Sequence, residues 1–166
     1  FGACSTVPLI HKYDNLLVVQ TFSKSRCLAG LRVGFAIGNN GLIEALERVK
    51  NSFNSYTIDR IAQKAAEAAV EDKEYFYRTT RRIMTTREYT AQELERLGFT
   101  VLPSKANFLF ASHKSIAAEE IFVKLRQEGI LVRHFKNPRI ENWLRITIGT
   151  YDEMAVLIEK LKAMMV

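Results

Sequence analysis

Lys24 and Arg32 are two charged residues inside TFSKSRCLAGLRVGFA, Thr21 to Ala36, a stretch otherwise made of small, apolar and hydroxyl-bearing residues. A lysine in a loop among Phe22, Leu28 and Leu31 is expected to be partly desolvated, which favours the neutral amine and frees it to attack a carbonyl carbon. Ser23, Ser25 and Arg32 add hydroxyls and a guanidinium, a donor set that suits a phosphate. An amine beside an anion cradle is what a phosphorylated aldehyde requires. The bland alternatives are a lysine that snorkels out of the loop and an arginine in a structural ion pair. A serine–lysine hydrolase built on Ser23 or Ser25 fits less well, because adjacent loop residues tend to point apart.

Three further residues are candidates for binding. In WLRITIGT, Leu144, Ile146 and Ile148 alternate with Trp143, Arg145 and Thr147, so Arg145 faces either water or a cleft. Its planar fork suits a carboxylate better than a lysine would. Arg133 closes ILVR and Asn107 opens ANFLFA, where a strand-end arginine and a turn asparagine are the ordinary readings. His134 has no partner visible in the sequence and Cys27 has no histidine near it, so neither is assigned a catalytic role.

These residues need elements to hold them. LLVVQ (Leu16 to Gln20) and Val33 to Ile37 read as buried strands, which leaves Lys24 in the loop between them. After GNNG, Leu42, Ile43, Leu46 and Val49 have helical spacing, with Asn40 as the expected cap. A helical region is predicted from Thr57 to Leu97, with a break at Glu71 and Asp72. Its stripe of Phe76, Thr80, Ile83, Arg87, Thr90, Leu94 and Leu97 is expected to pack in the core, with Gly98 as the stop. The run RTTRRIMTTRE reads as its solvated face. FTVL, ANFLFA, ILVR and WLRITIGT read as strands. Ser115 is expected to cap a helix running to Glu128, and Thr150 with Glu153 forms a capping box for a last helix with Met154, Leu157, Ile158 and Leu161 inside.

Bulk properties narrow the function classes. The chain has 166 residues, enough for a sizeable core. Its formal charge of +6 is spread among acidic residues without an aromatic platform, which fits small anions better than nucleic acid. Two cysteines without CxxC spacing and three dispersed histidines give no expectation of a metal site or a disulfide. No apolar run has the length to cross a bilayer, so neither a membrane nor a leader is expected and a cytoplasmic setting is the default. The first residue is Phe1, and the chain is expected to be a fragment.

TFSKSRCLAGLRVGFAIG resembles the cofactor-lysine motif of the fold type I, class I/II pyridoxal-phosphate aminotransferases. VVQTFSK, ANFLF, GILVRHF and WLRITIGT are similar in particular to the histidinol-phosphate aminotransferase branch, and the likeness runs over essentially the whole chain. It implies an α/β fold, the C-terminal part of a fold type I transferase. Residues 1–55 would end the large cofactor-binding domain's sheet, and 56–166 would form the small C-terminal α+β domain with its long helical connection. The resemblance also implies pyridoxal 5'-phosphate as cofactor, Lys24 as its Schiff-base lysine and proton shuttle, and Ser23 and Arg32 on the cofactor phosphate. Arg145 then meets the substrate carboxylate. Arg133 meets the distal anion, and Asn107 lies near the substrate cleft.

The implied reaction moves an amino group between histidinol phosphate or imidazole-acetol phosphate and glutamate or 2-oxoglutarate. An aromatic aminotransferase or a phosphothreonine-type decarboxylase of the same fold is the near alternative, and a non-catalytic anion-binding α+β module the distant one. The implied partners are a small amino-acid or amino-alcohol phosphate substrate and, in full-length form, a second copy. Family members carry a glycine-rich cofactor loop, an asparagine, an aspartate and a tyrosine upstream of the matched region. This sequence holds none of them, so the 166 residues alone are expected to be inactive or nearly so.

Overall fold

The computed structural model describes residues 1–165. The chain divides into two compact units, Ala3–Thr79 and Phe1–Gly2 with Thr80–Val166. The division falls within a long helix, between Thr79 and Thr80, whereas the domain boundary expected from the sequence lies at 55/56.

In the first unit, β1 (Val18–Thr21) and β2 (Gly34–Ile37) pair antiparallel, from Val18 opposite Ile37 to Thr21 opposite Gly34. Two helices follow, α1 (Asn40–Phe53) and α2 (Arg60–Glu71). The small core is Phe22, Val33, Ala62 and Ala66, with Leu28, Leu31 and Ile58 packed against it. The buried strands expected from LLVVQ and Val33 to Ile37 are corrected. Both start later, and Val19 is 66 % exposed and Phe35 42 %, because no layer among the described residues packs over these side chains of the two-stranded ribbon. Likewise α1 buries no residue, and its apolar Val49 is 62 % exposed. Its cap is Asn39 rather than Asn40. Asn39 has the extended backbone a cap needs, its Oδ1 accepts from Leu42 N at 3.0 Å, and its amide donates to the Asp14 carbonyl.

The break in the long helical region falls where expected. α2 ends at Glu71, Asp72 intervenes, and α3 runs over Lys73–Arg96, with Asp72 Oδ1 accepting from Tyr75 N at 2.9 Å. Thr80, Thr86, Arg87, Thr90, Glu93 and Leu94 of α3 are buried. RTTRRIMTTRE is therefore only partly a solvated face, since Thr80, Thr86 and Arg87 turn inward.

The second unit is a two-layer α+β assembly. Its antiparallel sheet has the order β3-β4-β6-β5, built from β3 (Phe99–Val101), β4 (Phe108–His113), β5 (Arg133–His134) and β6 (Leu144–Thr147). The C-terminal half of α3, α4 (Ala118–Gln127) and α5 (Tyr151–Met164) contribute to a core with Leu109, Ala111, Leu144 and Ile146 of the sheet. Alternation along β6 buries Leu144 and Ile146 and exposes Arg145 and Thr147, as the sequence pattern predicts. Gly98 has φ +88° and ends α3 in the left-handed conformation that a residue with a Cβ rarely adopts. The Thr150–Glu153 capping box is formed.

Two expectations in this unit are corrected. α4 starts at Ala118, and its first amide is satisfied by Asn142 Oδ1 at 3.0 Å, not by Ser115, whose own N–H donates to His113 Nδ1 at 3.3 Å. Of ILVR only Arg133 joins a strand, because Ile130 N returns to the Leu125 carbonyl at 2.9 Å to close the helix exit.

Candidate functional site

Lys24, Ser23 and Arg32 share one loop, 22–33, that emerges from the end of the β1–β2 ribbon. Phe22 and Val33 are buried at its two roots, and Phe22 N donates to the Val33 carbonyl at 3.0 Å. Inside the loop, Cys27 N donates to the Lys24 carbonyl at 3.1 Å, Leu28 N to the Phe22 carbonyl at 3.0 Å, and Ser23 N to Thr21 Oγ1 at 3.2 Å. Cys27 and Arg32 have positive φ, 59° and 56°. Non-glycine residues held there cost of the order of 1 kcal/mol or more each, and such strain persists only where the surroundings over-determine it.

Lys24 is exposed, which corrects the expected desolvation. The apolar side chains of the loop turn toward the core, and the lysine is left in the outer turn. Its ammonium makes no hydrogen bond or ion pair with the described residues. Arg32 spends one N–H on the nearby Ala29 carbonyl at 2.9 Å and meets no carboxylate among the described residues, so the structural ion pair does not form. An uncommitted amine, a hydroxyl and a largely free guanidinium on one closed loop fit a phosphorylated aldehyde. Arg26 is a member of this loop that the sequence reading passed over. Its guanidinium lies 3.8 Å from the Phe76 ring centre and donates to the Ala69 carbonyl, in the last turn of α2 where a cation is favoured. From SKSR alone Arg26 reads equally well as a ligand group, and only the fold shows it turned away to hold the loop.

Arg133, Arg145 and Asn107 lie in the second unit. Arg133 and Arg145 are directly opposed residues of β5 and β6, and Phe110 of β4 is opposed to Arg145 on its other side. All three share the sheet face turned away from the core. Like charges directly opposite each other are unfavourable, which makes the pair unusual without an anion between them. Aromatic rings offset part of that cost. The Arg145 guanidinium lies 5.6 Å from the Phe108 ring centre and 5.9 Å from that of Phe135, and Arg133 lies 5.5 Å from Phe135. The sequence singled out both arginines but not this aromatic support, because cross-strand partners come from distant segments. Asn107 is half-buried at the entry to β4, and its carbonyl accepts from Ile148 N at 2.9 Å. That entry is braced by the buried Arg87, which donates to the Ala106 carbonyl at 2.8 Å. His134 Nε2 donates to the Glu141 carbonyl at 2.7 Å, which is a structural bond.

Residues 1–161 match the family model described as aminotransferase class I and II. This chain belongs to that family. Among curated proteins, the aminotransferase chain is 55 % identical over 162 residues to the histidinol-phosphate aminotransferase of Clostridium botulinum and 58 % identical to that of Clostridium acetobutylicum. In both cases 98 % of the chain is covered but only 46 % of the relative, so the chain spans about half the length of the curated relatives it matches. Among solved structures it resembles a histidinol-phosphate aminotransferase from Clostridium acetobutylicum, with a TM-score of 0.86 and 25 % identity over 97 % of the chain and 49 % of that structure. The Sinorhizobium meliloti enzyme, solved in complex with pyridoxal-5'-phosphate, gives 0.78 and 27 % over 91 % and 42 %. The α/β fold of a class I and II aminotransferase, over about half of its length, is thereby shown.

Proposed function

We propose that the chain contributes the lysine and arginine side of a pyridoxal-phosphate-dependent histidinol-phosphate aminotransferase, exchanging an amino group between histidinol phosphate or imidazole-acetol phosphate and glutamate or 2-oxoglutarate. The observation that carries this reading is the 22–33 loop, whose Lys24, Ser23 and Arg32 present an amine, a hydroxyl and a guanidinium that the chain itself leaves largely uncommitted. The names of the curated relatives support the substrate. In this reading Lys24 Nζ would hold the cofactor, and Ser23 Oγ with the Arg32 guanidinium would hold its phosphate. When bound, pyridoxal phosphate supplies an electron sink for the bond broken at the substrate's amino carbon.

The chain's own groups do the remaining work. Lys24 Nζ accepts the proton from the substrate's amino-bearing carbon and carries it to a different atom, a task for which a side chain with no competing partner among the described residues is suited. Arg145 and Arg133 bind the carboxylate or phosphate ends of the two alternating substrates, and Asn107 lines the cleft. The apolar side chains left exposed on the first unit, Val49, Phe53, Tyr56 and Ile61 among them, support burial against further protein, and we place the full-length enzyme in the cytoplasm as a homodimer.

The first test is chemical. Incubation of the chain with pyridoxal phosphate, borohydride reduction and peptide mapping should put the label on Lys24, and a full-length form that takes no label there overturns the cofactor reading. In that full-length form, histidinol phosphate should be turned over in preference to phenylalanine, while equal rates would overturn the substrate. The 166 residues alone should show little or no turnover.

A further inference from the structure

We infer that Phe135 is a positioning residue, whose ring holds the Arg133 and Arg145 guanidiniums together at the anionic end of the substrate; this rests on the substrate reading above. Both guanidiniums lie over this one ring, at 5.5 and 5.9 Å. Neither donates a hydrogen bond to, or forms an ion pair with, any described residue, so rings are what the structure offers to orient them. The ring is itself held. Phe110 meets it edge-on at 6.3 Å, and Phe110 stacks on Trp143 at 5.2 Å with the planes 15° apart.

Two long cationic side chains at opposed strand positions repel and would splay apart in water, and an anion would then have to gather both. A ring whose negative face attracts both removes part of that ordering cost before the ligand arrives. Phe135 offers no polar atom, so its effect passes through the arginines. In the full-length enzyme its loss should raise KM for the phosphorylated substrate and leave kcat nearly unchanged.

The test uses three replacements in the chain: Phe135→Leu, Phe135→Tyr, and pentafluorophenylalanine at position 135, which keeps the ring's shape and reverses its charge distribution. Inorganic phosphate is titrated against the guanidinium N–H signals of Arg133 and Arg145 by NMR. Phosphate should bind roughly 3- to 10-fold more weakly to the leucine and pentafluoro forms and as in the parent to the tyrosine form. Unchanged affinity in the pentafluoro form, or failure of tyrosine to restore binding, overturns the inference, and the pentafluoro form decides alone should leucine unfold the chain. Arginine signals that phosphate does not move in the parent chain would overturn the anion-site reading itself, and the role of Phe135 with it.

Discussion

Arg87 is 4 % exposed, and its guanidinium donates to two carbonyls, Ala106 at 2.8 Å and Phe1 at 3.3 Å, with no carboxylate among the described residues near enough to pair. The helical stripe places it inside, but nothing in the spacing says what it holds. Its removal in Arg87→Ala leaves two part-buried carbonyls unpaired and should lower stability by about 1–3 kcal/mol, read as a shifted urea midpoint. It should also loosen the turn before Asn107. Carboxylates set the acid limb of stability. The Lys162 ammonium, at 3.2 Å, and the Arg96 guanidinium hold the Glu93 carboxyl below its usual range against the opposing effect of burial, and the backbone and hydroxyl of Thr150 do the same for Glu153. Because both folded values lie below the unfolded ones, their contribution is full above about pH 4.3 and is lost as pH falls toward the folded values. Melting curves for Glu93→Gln should therefore differ from the parent at pH 7 and converge with it in acid; a constant gap would contradict this account.

Local signals placed the elements that carry their own caps. The Thr150–Glu153 box is spelled within four residues, and Thr150→Ala should cost about 1 kcal/mol in thermal unfolding while leaving the α5 core contacts in place. Asp72 and Gly98 are equally local, and they bound α3 as expected. α4 is the contrary case, since its first amide is satisfied by Asn142, a residue that follows the helix by more than a dozen positions. Asn142→Ala should therefore fray the start of α4, seen as faster exchange at the Ala118 amide, whereas Ser115→Ala should leave that amide unchanged. Periodicity likewise found β6 but overran β5, because the turn that closes α4 through Ile130 takes up the residues before Arg133 although β6 extends past them.

Burial is unevenly shared between the two units. The second unit has a core that includes Leu94, Leu125, Leu144, Ile146, Leu157 and Leu161 at 1 % exposure or less, while the first has Phe22, Val33, Ala62 and Ala66. Local stability follows buried apolar contact, so amides of α1 should exchange faster than those of β4 and β6 in native-state hydrogen exchange. Equal protection would mean that α1 gains support that its exposed Val49 and Phe53 do not show. Those exposed side chains are apolar at helical spacing, a pattern that signals a partner without saying which part of the protein supplies it.

The sequence alone determined the amine, hydroxyl and guanidinium of TFSKSRCLAGLR, the alternation that turns Arg145 outward, and the family they point to, because residue chemistry and short-range spacing are written directly in the chain. Tertiary structure decided that Lys24 is exposed, that Arg26 turns back to α2 while Arg32 stays largely free, and that Arg133 stands opposite Arg145 over Phe135. Those facts depend on strand register and on which side chains the core takes up, and both are set by contacts between segments far apart in sequence.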